Sequence, residues 1–281
     1  MPEGRLVDEE LLRGWPLPEP GSDKEARGRL LVVAGTDETP GAGLLAAEAA
    51  LRTGAGKVQL ATAGACVSAL AVAVPELMVT EVRDADRVVE LAEGVDVVLL
   101  GPGFTDPEAA AALVGEVLDR VSGTVVLDAL GTAYVTEDPE RIADLAATVL
   151  LTVNPTELAH CLHLDEDEVA SDLARHTAAL AHRTGATVVC GGPTKYVAHP
   201  GDLWRVEAGN PGLGTAGSGD VQAGIVSGLL GRGAEPAQAA VWGAYVHAVA
   251  GDRLAGRVGP VGYLARELAP EVPAVLRGLA S

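Results

Sequence analysis

Aromatic residues are scarce in this sequence: they make up 3% of its 281 residues, with a single phenylalanine. The core must therefore be built from aliphatic side chains and alanine. Cysteine is nearly as rare, at three separated positions, so no disulfide framework is expected and a reducing compartment is favoured. We expect a cytoplasmic protein, and no signal peptide, because the first residues lack the basic and apolar regions of a secretory signal.

Long apolar runs and positive charge are also lacking. No run of about 18 apolar residues occurs, so no transmembrane helix is expected. Lysine and arginine number 20 against 39 aspartates and glutamates, which gives a formal net charge of −19. Such a charge argues against nucleic acid and anionic membranes as partners. An acidic protein that binds a nucleotide must draw local positive potential from backbone N–H groups, a cation or Mg²⁺.

Short apolar runs alternate with helical patterns along the chain, which predicts an α/β fold with a mainly parallel sheet covered by helices on both faces. Residues 1–27 are polar and proline-rich and are interpreted as an N-terminal arm, part of which could dock on a neighbour as a short helix (Asp8–Arg13). No linker divides residues 28–281, so we expect one domain there. A homo-oligomer is expected.

The predicted strands are Leu30–Ala34, Lys57–Thr62, Leu77–Val82, Val95–Leu100, Thr124–Leu127, Val149–Thr152, Thr187–Cys190, Tyr196–Ala198 and Leu203–Val206. The predicted helices are Leu44–Thr53, Ala65–Val74, Pro107–Arg120, Thr156–His163, Glu166–Thr184, Val221–Leu230, Pro236–Leu254 and a short one at the C-terminus.

The stretch Gly209–Gly231 organises the rest of the chain. Six of its first eleven residues are glycine or alanine, so backbone N–H groups can approach a ligand closely. The helix predicted to follow, Val221–Leu230, places an N-terminus at this loop. Unpaired N–H groups and the helix dipole favour anions there, which indicates a phosphate site.

Asp220 lies where this loop becomes helix. It could simply cap the helix. An acidic group beside a phosphate site would, however, repel the phosphate unless it accepts a proton from a hydroxyl that attacks phosphorus. The loop carries no lysine before Ser or Thr, so it is not a Walker loop.

The residues Gly217-Ser218-Gly219-Asp220 resemble the Gly-Thr-Gly-Asp signature of the ADP/ATP-dependent NAD(P)H-hydrate dehydratases, which are ribokinase-like proteins. With the stretches below, the resemblance spans roughly residues 28–250. It implies a ribokinase-like fold, in which ligands bind beyond the carboxyl ends of the strands. It also implies that Gly217, Ser218 and Gly219 bind the nucleotide and that Asp220 is the catalytic base and contacts the substrate.

Two glycine-containing loops are implied to bind the substrate. Gly41 and Ala42 stand in a loop similar to the family's Gly-Ala before a helix, although the residues alone favour an ordinary strand–helix connection. Gly103 belongs to Gly101–Phe104, where the family has Gly-Pro-Gly-Leu-Gly, and this rigid turn fits the nicotinamide half of the substrate.

Asp128 matches the first acid of the family's Asp-Ala-Asp-Ala-Leu. It could orient a cation or substrate hydroxyls, or cap the next turn.

The segment Leu151–Glu157 resembles the family's Leu-Thr-Pro-His-Pro-Gly-Glu. Asn154 replaces the histidine there and is implied to contact the substrate. Asn-Pro-x-Glu also resembles the Asn-x-x-Glu of the wider superfamily, which organises water and Mg²⁺ around phosphate. Glu157 is therefore a possible Mg²⁺ ligand, or else an acid favoured by the helix dipole in a first turn.

A last loop is implied to bind the nucleotide through Gly191, Gly192, Pro193, Thr194 and Lys195. The family reads Leu-Lys-Gly-Ala-x-Thr here, with a lysine that reaches phosphates at the position of Gly191. Lys195 lies four residues later, where it could reach the phosphates from another direction or be a solvated hairpin charge.

His160 and His163 are interpreted as packing residues, and His247 as a buried histidine with satisfied hydrogen bonds.

The resemblance implies that ATP or ADP, with Mg²⁺, phosphorylates a ring hydroxyl of hydrated NADH or NADPH and that elimination of phosphate then restores the dihydronicotinamide. Two other functions stay open from the residues: a ribokinase-like small-molecule kinase that stops after phosphorylation, and a non-catalytic nucleotide-binding protein.

Overall fold

One sheet of ten strands runs through the structure, a computed structural model in which residues 4–279 are described. The strands are β1 (Arg5–Leu6), β2 (Arg29–Val33), β3 (Lys57–Thr62), β4 (Met78–Glu81), β5 (Val97–Leu100), β6 (Thr124–Asp128), β7 (Thr148–Val153), β8 (Thr187–Cys190), β9 (Lys195–His199) and β10 (Asp202–Val206). Every strand predicted from the sequence is present to within two residues at each end, and only the short β1 was not predicted.

The strand order is β1-β10-β9-β8-β7-β6-β5-β2-β3-β4. Neighbouring strands are parallel, except that β9 is antiparallel to both β8 and β10. The central strands are buried along almost their whole length, as expected for parallel strands covered on both faces. The predicted α/β fold with a mainly parallel sheet is confirmed.

The α-helices of residues 4–279 are α1 (Glu9–Arg13), α2 (Pro40–Thr53), α3 (Val67–Ala73), α4 (Ala85–Ala92), α5 (Pro107–Leu118), α6 (Ala133–Glu137), α7 (Pro155–Leu162), α8 (Glu166–Ser171), α9 (Leu173–Thr184), α10 (Ser218–Gly231), α11 (Pro236–Arg257) and α12 (Val272–Leu279). Short 3₁₀ helices occupy Gly64–Cys66, Ala129–Thr132, Pro139–Ile142, Pro211–Leu213, Ala265–Glu267 and Ala269–Glu271. In this part of the chain no helix combines the length and apolar character needed to cross a membrane.

The prediction of one long helix over Glu166–Thr184 is wrong, because the chain breaks at Asp172 between α8 and α9. The Asp172 carboxylate accepts a hydrogen bond of 3.0 Å from the Arg175 backbone N–H and so caps α9. Aspartate at such a position stabilises a new helix start, while the apolar periodicity continues across the break. Helices α4 and α6 were also missed from the sequence.

Alternate residues of the strands serve two separate cores, because successive side chains point to opposite faces of a sheet. In β2, Leu30 and Val32 pack with α2, α10, α11 and α12 on one face. Leu31 and Val33 pack with α4, α5, α7 and α9 on the other. Most of the helix residues in the first core are alanine, valine and leucine, consistent with the scarcity of aromatics.

The N-terminal segment packs on its own chain. Helix α1 lies within one residue of its predicted bounds and is capped by Asp8, whose carboxylate accepts a 2.8 Å hydrogen bond from Leu11. Leu12 is completely buried. Trp15 stacks on Trp204 of β10, with ring centroids 5.9 Å apart, and strand β1 pairs with the same β10.

Helices α2 and α10 lie in very close contact. A Cβ atom on Gly224 would lie 2.1 Å from the Ala46 carbonyl oxygen, and one on Gly228 would lie 2.9 Å from that of Ala50. Only glycine allows the two backbones to approach so closely. Since later residues of one helix meet later residues of the other, the helices run in the same direction, and their N-termini lie side by side at the carboxyl edge of the sheet.

Candidate active site

A cavity of about 780 Å³ lies beyond the carboxyl ends of β6, β7 and β8. Its wall includes Asp128 at the end of β6, Asn154 after β7 and Gly191 after β8. Residues of the glycine-rich loop and of the first turn of α10 also line it. In open parallel sheets this edge is the usual place for ligands.

The N-terminus of α10 opens directly into this cavity. The helix begins at Ser218, three residues before the predicted start, so the prediction that Asp220 marks its boundary is wrong and Asp220 belongs to the first turn. Gly217 caps the helix with φ of 87°, a left-handed conformation that favours glycine. A Cβ on Gly219 would meet no atom within 4 Å, so this residue faces open space. We call Gly217–Gly219 the cradle.

The cradle presents free hydrogen-bond donors. The backbone N–H groups of Gly219 and Asp220 meet no acceptor among residues 4–279, whereas the Ser218 N–H bonds to the Thr215 carbonyl at 3.2 Å. Unpaired amides at a helix start, together with the helix dipole, form a site for an anion. The arrangement suits phosphate oxygens.

Asp220 carries its carboxylate at the mouth of the cradle. No described residue donates a hydrogen bond to it, and burial raises its pKa to about 6. A carboxylate of this kind is largely ionised at neutral pH yet basic enough to accept a proton. Its position and its basicity both suit a general base acting on a group bound beside the cradle.

Asp128 is the second carboxyl group of the cavity and is far more buried. The Thr152 hydroxyl donates a hydrogen bond of 2.6 Å to its Oδ1 atom. Burial first, and the nearby charge of Asp220 second, raise the pKa of Asp128 well above its usual range. Its side chain does not cap the 3₁₀ helix that follows, so the capping interpretation is wrong. The cavity therefore holds two carboxyl groups with raised pKa values, and burial acts more strongly on Asp128 than on Asp220.

Asn154 and Glu157 cap helix α7 reciprocally. Asn154 Oδ1 accepts a 2.9 Å hydrogen bond from the Glu157 N–H, and Glu157 Oε2 accepts one of the same length from the Asn154 N–H. Such a capping box explains both residues structurally. Both also line the cavity, and burial raises the pKa of Glu157. Glu157 Oε1 makes no hydrogen bond within the described chain.

A preformed metal centre is not seen within residues 4–279, where no three Asp, Glu, His or Cys side chains lie close enough to share an ion. His160 and His163 lie at the end of α7, away from the cavity lining, with His163 as its left-handed C-cap.

In the loop after β8, which was predicted to bind the nucleotide, four of the five residues line the cavity: Gly191, Gly192, Pro193 and Lys195 do, whereas Thr194 does not. A Cβ on Gly191 would meet only the Val153 carbonyl oxygen, at 3.7 Å, so a side chain there has room. The structure thus leaves space where the resemblance places a lysine.

Lys195 is not a solvated hairpin charge. It is the first residue of β9, opposite Val206, and only 6% of it is exposed. Its Nζ atom donates to Gln222 Oε1 at 2.8 Å and lies 3.2 Å from His247 Nδ1. The interpretation of His247 as a buried, hydrogen-bonded histidine is confirmed, since its Nε2 atom lies 3.0 Å from Ser218 Oγ.

Sequence reasoning missed that His247 and Gln222 also line the cavity. Gln222 stands two residues after Asp220, at the edge of the glycine motif, and could have been suspected on that ground. His247 lies in the middle of an apolar helix, 29 residues from Ser218, and nothing in its local sequence indicates that neighbour.

Gly41, Ala42 and Gly103 come together, but outside this cavity lining. A Cβ on Gly103 would lie 2.7 Å from that of Ala42, and the Thr39 hydroxyl donates to the Gly103 carbonyl. A Cβ on Gly41 would meet nothing within 4 Å. Gly41 is thus open at the N-terminus of α2, whereas Gly103 packs against Ala42. This end of α2 lies beside the cradle, since a Cβ on Gly217 would lie 2.5 Å from Leu45 Cδ1.

A family model described as NAD(P)H-hydrate dehydratase matches residues 30–274. The chain is 42% identical to a Xanthomonas campestris protein named ADP-dependent (S)-NAD(P)H-hydrate dehydratase, an alignment covering 98% of this chain and 97% of that protein. It is 35% identical to a bifunctional NAD(P)H-hydrate repair enzyme of Moorella thermoacetica, covering 94% of this chain but 52% of that enzyme. The chain therefore spans about half the length of the bifunctional relative.

A solved structure from Bacillus subtilis also resembles the chain throughout. It is an ADP/ATP-dependent NAD(P)H-hydrate dehydratase co-crystallised with ATP/Mg²⁺. It superposes with a TM-score of 0.88 at 26% sequence identity, covering 99% of this chain and 100% of that one. The ribokinase-like fold expected from the sequence is confirmed.

Proposed function

Since the chain belongs to the NAD(P)H-hydrate dehydratase family, we propose that it uses ADP or ATP to dehydrate hydrated NADH or NADPH, and so repairs damaged nicotinamide nucleotides. The observation that carries the proposal is Asp220, a partly buried carboxylate whose pKa is about 6, set beside the open N–H groups of the cradle. An anion site next to a poised base is what phosphoryl transfer to a hydroxyl requires.

In the first step the substrate's ring hydroxyl gives its proton to Asp220 and its oxygen forms a bond to the terminal phosphorus of the nucleotide. The nucleotide leaves with one phosphate fewer. The Gly219 and Asp220 amides stabilise the charge that develops on the transferred phosphoryl oxygens. The product of this step is a phosphate ester of the hydrated ring.

In the second step the C–O bond breaks and phosphate leaves with the bonding electrons. A proton is lost from the neighbouring ring carbon, and the double bond of the dihydronicotinamide is restored. Gly41, Ala42 and Gly103 provide the surface for the nicotinamide half, since they lie together beside the cradle and a Cβ on Gly41 would meet no atom within 4 Å. Asn154, at the cavity wall, supplies an amide for the substrate.

The donor set also fits Mg²⁺. Glu157 lines the cavity, and its Oε1 atom makes no hydrogen bond among the described residues. Mg²⁺ is commonly held by one or two carboxylates plus phosphate oxygens and waters. Glu157 would hold the ion, which would neutralise charge on the nucleotide. Gly191, Gly192, Pro193, Thr194 and Lys195 form the loop beside the phosphates. The expected cytoplasmic location and homo-oligomeric state belong to the same proposal.

The direct test supplies purified protein with hydrated NADH or NADPH, Mg²⁺ and either ADP or ATP, and follows the absorbance of the reduced nicotinamide. Recovery of that absorbance that requires nucleotide supports the proposal. Accumulation of a stable phosphate ester would instead show a kinase, and no turnover with either nucleotide would contradict the proposed reaction.

The role of Asp220 is tested with Asp220→Asn, which keeps shape but removes the base. We expect turnover to fall by about 10²- to 10⁴-fold, the usual contribution of general base catalysis, while nucleotide binding persists. Asp167→Asn is the matched control, because Asp167 is exposed on α8 and does not line the cavity. Near-normal turnover by Asp220→Asn would remove Asp220 from the mechanism.

A further inference from the structure

Four buried polar side chains form a continuous chain beneath the cradle. Lys195 comes from β9, His247 from α11, and Ser218 and Gln222 from α10, and each is at most 6% exposed. Lys195 Nζ lies 3.2 Å from His247 Nδ1, and His247 Nε2 lies 3.0 Å from Ser218 Oγ. The chain thus links a buried cation to the first residue of the anion-binding helix.

The hydrogens of this chain can point in only one direction while Lys195 is charged. An ammonium group donates and never accepts, so His247 Nδ1 must be the acceptor. Burial lowers the pKa of Lys195 only to about 8, which leaves the ammonium charged at pH 7. Burial, and then the charge of Lys195, hold the pKa of His247 well below its usual range, so the imidazole is neutral. Its single hydrogen therefore lies on Nε2.

The consequence reaches Ser218. His247 Nε2–H donates to Ser218 Oγ, so the oxygen of Ser218 is the acceptor in that bond and its own hydrogen is free to donate elsewhere. No second partner for Ser218 Oγ is present among residues 4–279. Ser218 lines the same cavity as the open amides of Gly219 and Asp220.

We propose that Lys195 is a positioning residue for phosphoryl transfer: by fixing the tautomer of His247, it makes the Ser218 hydroxyl a dedicated donor to the phosphate bound at the cradle. Gln222 holds the ammonium in place through its Oε1 atom. Without the charge, His247 could accept from Ser218 instead, and the hydroxyl hydrogen would turn away from the ligand. The proposal rests on the proposed function only in identifying the ligand as the nucleotide phosphate.

A double-mutant cycle measures the coupling. Lys195→Met replaces the ammonium by an apolar group of similar length, and Ser218→Ala removes the hydroxyl at the end of the chain. Affinities for ADP, ATP and inorganic phosphate are measured by calorimetry for the wild type, both single variants and the double variant. Loss of a charge-assisted hydrogen bond predicts about tenfold weaker binding for Lys195→Met. In the Ser218→Ala background the same change should have less than about a twofold effect.

A spectroscopic measurement on the unaltered protein keeps the test independent of folding defects in the variants. Imidazole ¹⁵N shifts distinguish the two neutral tautomers, and the His247 signals are assigned by their absence in His247→Gln. We expect the Nε2–H tautomer. The Nδ1–H tautomer or an imidazolium would overturn the proposal, and so would an equally large Lys195→Met effect with and without the Ser218 hydroxyl, which would mean that Lys195 acts on the phosphate by charge alone.

These readouts do not depend on dehydration. Coupling with the expected tautomer, but no turnover of hydrated NADH or NADPH, would leave this proposal standing and refute the proposed function. Turnover of hydrated NADH or NADPH without coupling between Lys195 and Ser218 would support the proposed function and refute the positioning role of Lys195.

Discussion

Replacing Gly191 by lysine should tighten nucleotide binding. The resemblance to the dehydratases places a phosphate-reaching lysine at this position, and the structure leaves room for one. Gly191 follows β8, its N–H donates to the Val153 carbonyl at 2.8 Å, and a Cβ would meet only that carbonyl oxygen, at 3.7 Å. The residue lines the same cavity as the cradle, so we expect an ammonium on this loop to reach the bound phosphates.

The size of the effect follows from the kind of bond gained. A hydrogen bond to a charged group contributes about 1.5–3 kcal/mol, which corresponds to roughly ten- to a hundredfold in affinity. The new side chain would remain partly solvated at this half-buried position, so the lower end of the range is expected. Lys195→Ala should act in the opposite sense and loosen binding, because His247 is then no longer held in the tautomer that directs the Ser218 hydroxyl to the phosphate.

Isothermal titration calorimetry with ADP and ATP, in the presence of Mg²⁺, measures both changes. Gly191→Met is the matched control, since methionine has nearly the same length as lysine and no charge. The gain with lysine should also shrink as salt is added. If Gly191→Lys binds no more tightly than Gly191→Met, and Lys195→Ala changes nothing, the nucleotide phosphates do not lie against the Gly191–Lys195 loop.

Three further outcomes are expected. The value of kcat/KM should be flat between about pH 7 and pH 8 and fall about tenfold per unit below about pH 6, because Asp220 must be ionised to accept a proton and its pKa is about 6; a profile without this acid limb would contradict the assignment. Gly224→Ala should lower the free energy of unfolding by about 1–3 kcal/mol, since its Cβ would lie 2.1 Å from the Ala46 carbonyl oxygen. In Gly219→Ala the new Cβ would meet no atom within 4 Å, so the variant should keep nearly the same stability while it binds nucleotide more weakly. Nucleotide at a hundred times its dissociation constant should stabilise the fold by about 2.7 kcal/mol, and no change in melting temperature with ADP or ATP would count against every nucleotide-binding function.

The sheet was readable from the sequence because its strands are short, buried and bounded by loops. Runs such as Val97–Leu100 and Thr187–Cys190 are too short for a typical helix and rich in β-branched or aliphatic residues, which favours a buried strand. Their alternation with helices predicts the fold class. The break at Asp172 was not predicted because the apolar periodicity continues from α8 into α9. The start of α9 depends on a single side chain, the Asp172 carboxylate that caps it. The early start of α10 was missed because glycine-rich sequence suggests loop rather than helix.

The site was only partly readable for a different reason. Loops after β6, β7 and β8 meet at one edge by topology, so Asp128, Asn154 and Gly191 could be placed together from sequence. The buried position of the Lys195 side chain could not be predicted from the sequence. It depends on a contact with His247, which lies 52 residues away on α11. Long-range hydrogen bonds between buried side chains leave no periodic trace in a sequence.

The two-residue strand β1 covers the edge of β10, which would otherwise be an unpaired strand edge of the sheet. It pairs with β10, a five-residue strand whose Trp204 is covered by Trp15. Unpaired strand edges readily recruit strands from other molecules. Removing the chain through Asp8 would leave the backbone of β10 unpaired, and we expect the shortened protein to aggregate more readily than the full chain. The N-terminal segment, which has the composition of a polar arm, thus protects this edge of the sheet from pairing with a second molecule.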